Sequence, residues 1–319
     1  MGKPFEHLFG VNASDVIIRM DGASDDISLQ APRFVLPLQR VGMVRDNVPV
    51  NITHPFDGQG VICLNTRVSL STGIPGNRRG LHMSRVGDLI AEASSLGYGS
   101  LLEYIETIAD KIRNSQYGES AHVKVSAPFS FVSPVRGWKK GKDKLSLDTI
   151  WLSASVDGTA TPNKSVGVAV DNMTACPCVQ QTYKHTLEET KGDVREAILT
   201  VAPLLTHSQR CKTEVEIVNA IRFPSVREIL DVLDGVLVRV QNTLPREHEL
   251  ALVYRAHRDP QFVEDVVRSV MAGIFKLMKS DNQDTTIKVD SVGQESIHGF
   301  DIHAATSSTV SELARILSD

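Results

Sequence analysis

Cys176 and Cys178, separated only by Pro177, are the residues of this sequence with the widest chemical reach. A thiolate is a soft donor for zinc or iron, and it is a nucleophile where its pKa is lowered. The alternating run Val166, Val168, Val170 and the turn-forming Asp171-Asn172 come just before, so the pair is expected immediately beyond a strand end. C-x-C alone describes two small half-buried loop residues equally well. Three histidines are candidates: His207 in Thr206-His207-Ser208-Gln209-Arg210, which has polar neighbours on both sides, His298 in Glu295-Ser296-Ile297-His298, and His82 in Gly80-Leu81-His82-Met83-Ser84-Arg85. Each alone is as well explained by an exposed or structural imidazole. A cysteine, one or two histidines and a carboxylate together make a mixed-ligand set suited to a catalytic metal that keeps a position open for water.

Two carboxylates are candidates for that company, Glu249 in Glu247-His248-Glu249-Leu250 and Glu264 in Phe262-Val263-Glu264-Asp265. Glu264 also has a plain explanation, since an acidic residue in a first helical turn is favoured by the helix dipole. Arg78, Arg79 and Arg85 cluster in and after a glycine-containing turn that leads into a helix, a place where phosphates bind readily and where a solvated turn is equally ordinary.

The elements that must position these groups are those of an ordinary globular chain. Its 319 residues carry a net charge of −4 and are 41% hydrophobic, which leaves no ground for a disordered or low-complexity chain. Basic and acidic residues are interspersed, which argues against a broad nucleic-acid surface but not against a local phosphate pocket. No apolar stretch is long enough to span a bilayer and the start lacks the pattern of a signal peptide, so a cytoplasmic protein is expected, with no membrane partner. Four cysteines, with Cys63 and Cys211 far from the pair, are too few for a disulfide framework.

Residues 1–60 read as an irregular segment with edge strands. Val61–Leu70 reads as a strand, followed by helices over Ser84–Leu96 and Ser100–Arg113, the second opened by the capping-box pair Ser100 and Glu103. Alternating segments return at Ala121–Ser126, Thr149–Val156 and Ser165–Val170. Residues 186–202 read as an inserted helix. The second half repeats the order: a strand at Glu214–Ile221, a helix capped by Ser225 and Glu228, a helix with Asp259 as N-cap and Pro260 in its first turn, then strands at Thr285–Val289 and Phe300–Ala305. This predicts an α+β protein built by tandem duplication, with units at 61–180 and 213–319 and a helical insertion with a metal-site loop at 181–212.

Taken in order, the motifs around His82, Cys176, His207, Glu264 and His298, the fourth read as Asp259-Pro260-Gln261-Phe262-Val263-Glu264-Asp265, resemble the GTP cyclohydrolase type IB family, including its archaeal branch. The resemblance runs from about residue 37 to residue 306. It implies the tunnelling fold, in which antiparallel sheets with paired helices assemble into an oligomeric barrel, commonly a homotetramer with active sites at subunit interfaces. It implies GTP as substrate and one divalent metal per site, Fe2+, Zn2+ or Mn2+, which lowers the pKa of bound water. The guanine imidazole ring is opened, formate leaves, and 7,8-dihydroneopterin triphosphate forms at the entry to pterin and folate biosynthesis. By the same resemblance Cys176, His207 and Glu249 are metal ligands, with Cys178 the alternative thiol. Glu264 anchors the purine edge and His298 is the acid–base histidine. His82, Arg85 and Arg210 serve the triphosphate. One departure points to the archaeal branch: 28 residues separate Cys178 from His207, more than in typical bacterial members. There the product is the 2′,3′-cyclic phosphate of dihydroneopterin for methanopterin-type cofactors, and the metal is ferrous iron. A pterin- or purine-binding relative of the same fold with other chemistry is the remaining alternative.

Overall fold

A computed structural model describes residues 26–114, 120–135, 145–188, 196–198 and 204–317. After a short 3-10 turn at Ile27–Leu29, β1 (Leu38–Thr53) and β2 (Val61–Ile74) form a long hairpin. Helix α1 (Met83–Ser94), the two-residue β3 (Gly97–Tyr98) and α2 (Leu101–Asn114) follow, then β4 (Ala121–Pro134) and β5 (Leu145–Gly158). The second half runs through β6 (Asn163–Ala175), α3 (Pro177–Glu188), β7 (Ser208–Val218), α4 (Val226–Val236), β8 (Val238–Arg239), α5 (Arg246–Arg258), α6 (Val263–Met278), β9 (Thr286–Gln294), β10 (Ile302–Thr309) and α7 (Val310–Ile316).

All ten strands belong to one sheet, ordered β10-β9-β7-β6-β5-β4-β2-β1-β3 with β8 on β6. Its long strands pair antiparallel throughout. Each half therefore lays four strands side by side in chain order, β1-β2-β4-β5 and then β6-β7-β9-β10, with a helix pair inserted after the second strand. The two-residue strands correspond in position but not in direction, since β3 sits parallel near the end of β1 and β8 antiparallel near the end of β6. This is the tandem tunnelling-fold architecture.

The helices cover one face, where alternate strand residues are buried. Val50, Leu70, Val125 and Ile150 meet Tyr104, Ile105 and Ile108 of α2 in the first half; Ile217 and Val289 meet Leu230, Leu233, Val266 and Ile274 in the second. Each such side chain, fully buried, stabilises by roughly 1.5–3 kcal/mol. The Ser225–Glu228 capping box is present on α4. Ser100 Oγ accepts from the Glu103 N–H, while Glu103 reaches back to the N–H of Gly99.

Three sequence expectations are corrected. Residues 38–53, within the segment expected to be irregular with edge strands, form one long 16-residue strand near the sheet edge, its alternation broken by register shifts after Leu38 and Arg45. Asp259 does not cap α6; it ends α5, and α6 begins at Val263 after Phe262. A helix begins at Pro177, directly against the cysteine pair, where none was expected; of the expected inserted helix at 186–202 the described residues 186–188 and 196–198 are helical, and 189–195 and 199–202 lie outside the described residues.

A buried polar knot joins the halves. Asp148 accepts hydrogen bonds from Ser133 Oγ (2.7 Å), Ser146 Oγ (2.6 Å), Gln241 Nε2 (3.3 Å), the Asn242 N–H (3.2 Å) and Arg239 Nη1 (3.3 Å). Arg239 also binds Asp234 through Nε at 2.7 Å. This pins the strap 239–243 to the β4–β5 hairpin and so sets where α5 starts.

Candidate active site

Where β6 ends and β7 begins, the N–H of Cys176 donates to the carbonyl of His207 at 3.0 Å. Thr206 Oγ1 donates to the Cys176 carbonyl at 2.6 Å, and the N–H of Gln261 donates to the Ala175 carbonyl at 3.1 Å, drawing the α5–α6 linker onto the same spot. The His207 ring is largely buried, with Nδ1 at 2.8 Å from Ser296 Oγ and 3.5 Å from Glu295 Oε1. Engaging Nδ1 leaves Nε2 as the nitrogen free to bind a ligand, an arrangement that orients metal-binding imidazoles. Glu295, whose side chain is 6% exposed, accepts from the Ser296 N–H at 2.7 Å.

Two neighbours have altered acidity. Burial, reinforced by the charge of Glu295, pushes the Cys211 thiol up, against the weaker effect of its bond to Thr174. Cys211 is therefore a protonated core residue. Burial, then the field of His207, lowers the pKa of His257 and favours its neutral form. Gln180 Nε2 donates to the carbonyls of His257 (2.7 Å) and Leu204 (3.3 Å), tying α3 to α5 and to the lead into β7.

Of the expected ligands, then, Cys176 and His207 come together. Their donor types suit a borderline divalent cation such as zinc or ferrous iron. Glu249 is exposed in the first turns of α5, and among the described residues no three His, Cys, Asp or Glu side chains form a group that could hold a metal. The fit is that of a two-ligand half-site. Cys178 is exposed in the first turn of α3, and Cys63 is exposed on β2. Glu264 is exposed in the first turn of α6, whose Val263 packs against Gly293. His298 is exposed in the loop after β9, its ring stacked on Phe300 at 5.2 Å. Arg210 is exposed on β7 between the buried Gln209 and Cys211, so it faces the side of the sheet away from the helices.

His82 and Arg85 lie at the other end of the sheet. They follow β2, whose last turns pair with the start of β4, while Cys176 follows the far end of β6. The 13 residues of β6 alone span roughly 40 Å. Arg79 and Gly80 both donate backbone N–H bonds to the Ser28 carbonyl, and Asp26 stands 3.9 Å from Arg85. Bonds from Ser28 hold the Asp26 carboxyl below its usual range, with the charges of His82 and Arg85 adding to the effect.

Comparing the halves shows why the site is in the second. Val50 faces Leu64 and Ile52 faces Ile62 in the first half; Asn172 faces Cys211 and Thr174 faces Gln209 in the second. Val68 faces Val125, and Val215 faces Val289. Counting along β4 and β9 from those pairs sets Ala127 against Ser291, Phe129 against Gly293 and Phe131 against Glu295. An apolar cluster in one unit is thus a polar pocket in the other. Glu295 and Gln209 are the functional candidates that motif reading passed over; superposing the halves is the signal that finds them. A separate cavity of about 540 Å³ between the helix pairs is lined by Phe56, Leu101, Val166, Phe223 and Ile229 and does not include Cys176 or His207.

Comparison with known proteins gives the following. Residues 25–304 match the family described as Type I GTP cyclohydrolase folE2. "GTP cyclohydrolase MptA" of Thermoplasma acidophilum is 28% identical over 295 residues, covering 91% of this chain and 97% of the relative. The protein of the same name from Thermoplasma volcanium is 29% identical over 297 residues, covering 92% and 98%, and that from Methanoculleus marisnigri 25% over 303 residues, covering 90% and 96%. These matches bear out the resemblance to GTP cyclohydrolases and place it in the folE2 and MptA branch rather than under the type IB heading. Among solved structures, a highly active BTUO mutant superposes with a TM-score of 0.51 at 11% identity over 86% of this chain and 99% of that one. The uricase from Arthrobacter globiformis gives 0.48 at 5% identity, covering 85% and 94%.

Proposed function

The chain belongs to the type I GTP cyclohydrolase folE2 family, and from that premise we propose that it opens the imidazole ring of GTP by hydrolysis, with release of formate, at the Cys176–His207 site. The observation that carries the reading is that Cys176 and His207 lie opposite each other at the strand end, joined by a backbone hydrogen bond, with His207 Nδ1 held by Ser296 and Glu295.

Cys176 and His207 would hold one divalent cation, Fe2+, Zn2+ or Mn2+, and Glu249, which does not group with them among the described residues, would be the carboxylate that completes the set. When bound, the cation supplies the Lewis acidity that makes water nucleophilic near neutral pH. Glu264 accepts the N1 and N2 hydrogens of guanine. His298 moves the proton, as an imidazole can near neutral pH. His82, Arg85 and Arg210 bind phosphate. Since His82 and Arg85 lie a strand length from Cys176 in one chain, they act on a neighbouring chain's site in a homo-oligomer, here taken as a tetramer. Ring closure gives 7,8-dihydroneopterin triphosphate. The long Cys178–His207 spacing supports a second reading, the 2′,3′-cyclic phosphate.

Metal-loaded protein incubated with GTP is expected to release formate, and phosphorus-31 NMR of the product separates a retained triphosphate from a cyclic phosphate. Cys176→Ala and His207→Ala are each expected to lose metal, and Glu264→Ala to keep it while binding GTP more weakly. Mixing Cys176→Ala with Arg85→Ala subunits should restore part of the activity. Intact GTP with every divalent metal tried would refute the reading.

A further inference from the structure

Behind His207 the core carries polar side chains that the roles above leave unused. Ser291 Oγ lies 2.9 Å from Thr213 Oγ1, which donates to Asn172 Oδ1 at 2.7 Å. Thr213 has one proton, and it is committed to Asn172, so Ser291 must be the donor to Thr213. The bonds therefore all run one way, from Ser291 to Asn172. Asn172 and Thr213 are fully buried, and Asn172 Nδ2 has no hydrogen-bond partner among the described residues. On the next strand Gln209 is 9% exposed, and its Oε1 is likewise buried and unpartnered. Thr174 faces Gln209 and Asn172 faces Cys211, which makes Asn172 and Gln209 diagonal neighbours on one face, roughly 7–8 Å apart at Cα.

One of these groups is a donor lacking an acceptor and the other an acceptor lacking a donor. Each left bare costs roughly 1–3 kcal/mol. A single water accepts from the first and donates to the second, and buried waters occupy such polar niches. The first unit carries Val50 and Ile62 at these positions, so the frame itself needs no polar group there.

We propose that an internal water joins Asn172 to Gln209 and that this one-way relay fixes the Gln209 amide with its NH2 turned toward β9 at Gly293, under the turn of α6 that carries Val263 and Glu264, where it donates to an acceptor atom of the purine base. Asn172 is the positioning residue and Gln209 the binding residue. Glu264 accepts from the base, and Gln209 donates to it, so the two read complementary atoms. The identity of the ligand rests on the cyclohydrolase reading; the relay does not.

The test compares Asn172→Val, Gln209→Leu and the double variant for metal content, thermal midpoint, and KM and kcat with GTP. Each single variant should raise KM about tenfold, the worth of one hydrogen bond, with metal content unchanged. The double should be no worse than Gln209→Leu, because Asn172 acts only through Gln209, and its midpoint should lie above the sum of the single losses. Gln209→Glu, which exchanges the outward NH2 for an acceptor, should raise KM at least as far. Should Asn172→Val fail to fold, the isosteric Thr213→Val cuts the same relay and should reproduce the KM effect. Additive effects on both KM and midpoint, or unchanged KM in Gln209→Glu, would overturn the proposal. A wild-type protein inert toward GTP defeats the function instead, and the relay is then decided by the midpoints alone.

Discussion

Gly293 on β9 lies close under Val263 of α6, and replacing it tests whether that contact sets the first turn of the helix. A Cβ at Gly293 would lie 2.7 Å from Val263 Cγ2 and 3.4 Å from Cys211 Sγ. Ordinary carbon contacts lie at about 3.5–4.0 Å, so Gly293→Ala must displace Val263 by about 1 Å. Val263 is 1% exposed and has nowhere to retreat except by moving the backbone that carries Glu264. Overpacking of this kind costs about 1–3 kcal/mol. Val263→Ala removes the obstructing methyl and on its own leaves a small cavity, costing about 1–3 kcal/mol. In the double variant the two defects fill each other, giving a favourable coupling of about 1–2 kcal/mol. Urea midpoints of the four proteins read the cycle directly. If Gly293→Ala unfolds at the wild-type midpoint, or Val263→Ala brings no relief to it, the contact does not fix the helix and the reasoning fails.

Three further outcomes are expected. The ion pair with Arg222 and the N-cap bonds of Ser225 lower the pKa of Glu228 from 4.5 to about 2. Its stabilisation is thus complete above pH 4.5 and is lost as pH falls toward 2; because the side chain is 34% exposed, that amounts to at most about 1 kcal/mol, seen as a shallower acid limb in Glu228→Gln. Asp148→Ala strips the buried Arg239 of one carboxylate and the strap of its anchor. It should cost about 3–5 kcal/mol in urea unfolding and speed amide exchange at Asn242. Thr206→Val removes the bond to the Cys176 carbonyl and should weaken metal binding roughly fivefold to tenfold in a competitive titration, with little change in the fold.

Much of this molecule was legible in its sequence, for reasons that differ from element to element. Helices α2, α4 and α6 bury one broad stripe and two of them carry reciprocal caps, so local pattern and tertiary role agree. Helix α5 has no such stripe. Leu250 and Val253 face solvent, the helix is placed by its packing on β6 and by the Asp148 knot, and Asp259-Pro260 looked like a start because the same pair serves equally as a stop. The site divides the same way. Cys176 and His207 sit in compact motifs, and one strand pairing sets them opposite each other; spacing alone does not show that, and only the family resemblance put them together. Arg85 and Cys176 are separated by the length of the sheet, which no motif records. Gln209 and Glu295 were hidden because their importance shows only against Ile62 and Phe131, the apolar residues at the matching positions of the first half.

The β5–β6 seam measures what the ends of the sheet can accept. Strand β6 offers β5 only its first part, residues 163–169, since β8 takes 172 and 173 on the same strand. On β1, β3 takes 51 and 52, there in parallel, and the stretch corresponding to 163–169 is 40–47, one residue longer for the register shift after Arg45, which no other strand among the described residues occupies beyond β2. Strand β10, paired only to β9, is the chain's own counterpart of β5. If chains join edge to edge in the homo-oligomer proposed above, this internal join, seven residue pairs long, is the gauge for the one between them, and a proline placed within 40–47 would interrupt it while leaving the β5–β6 seam intact.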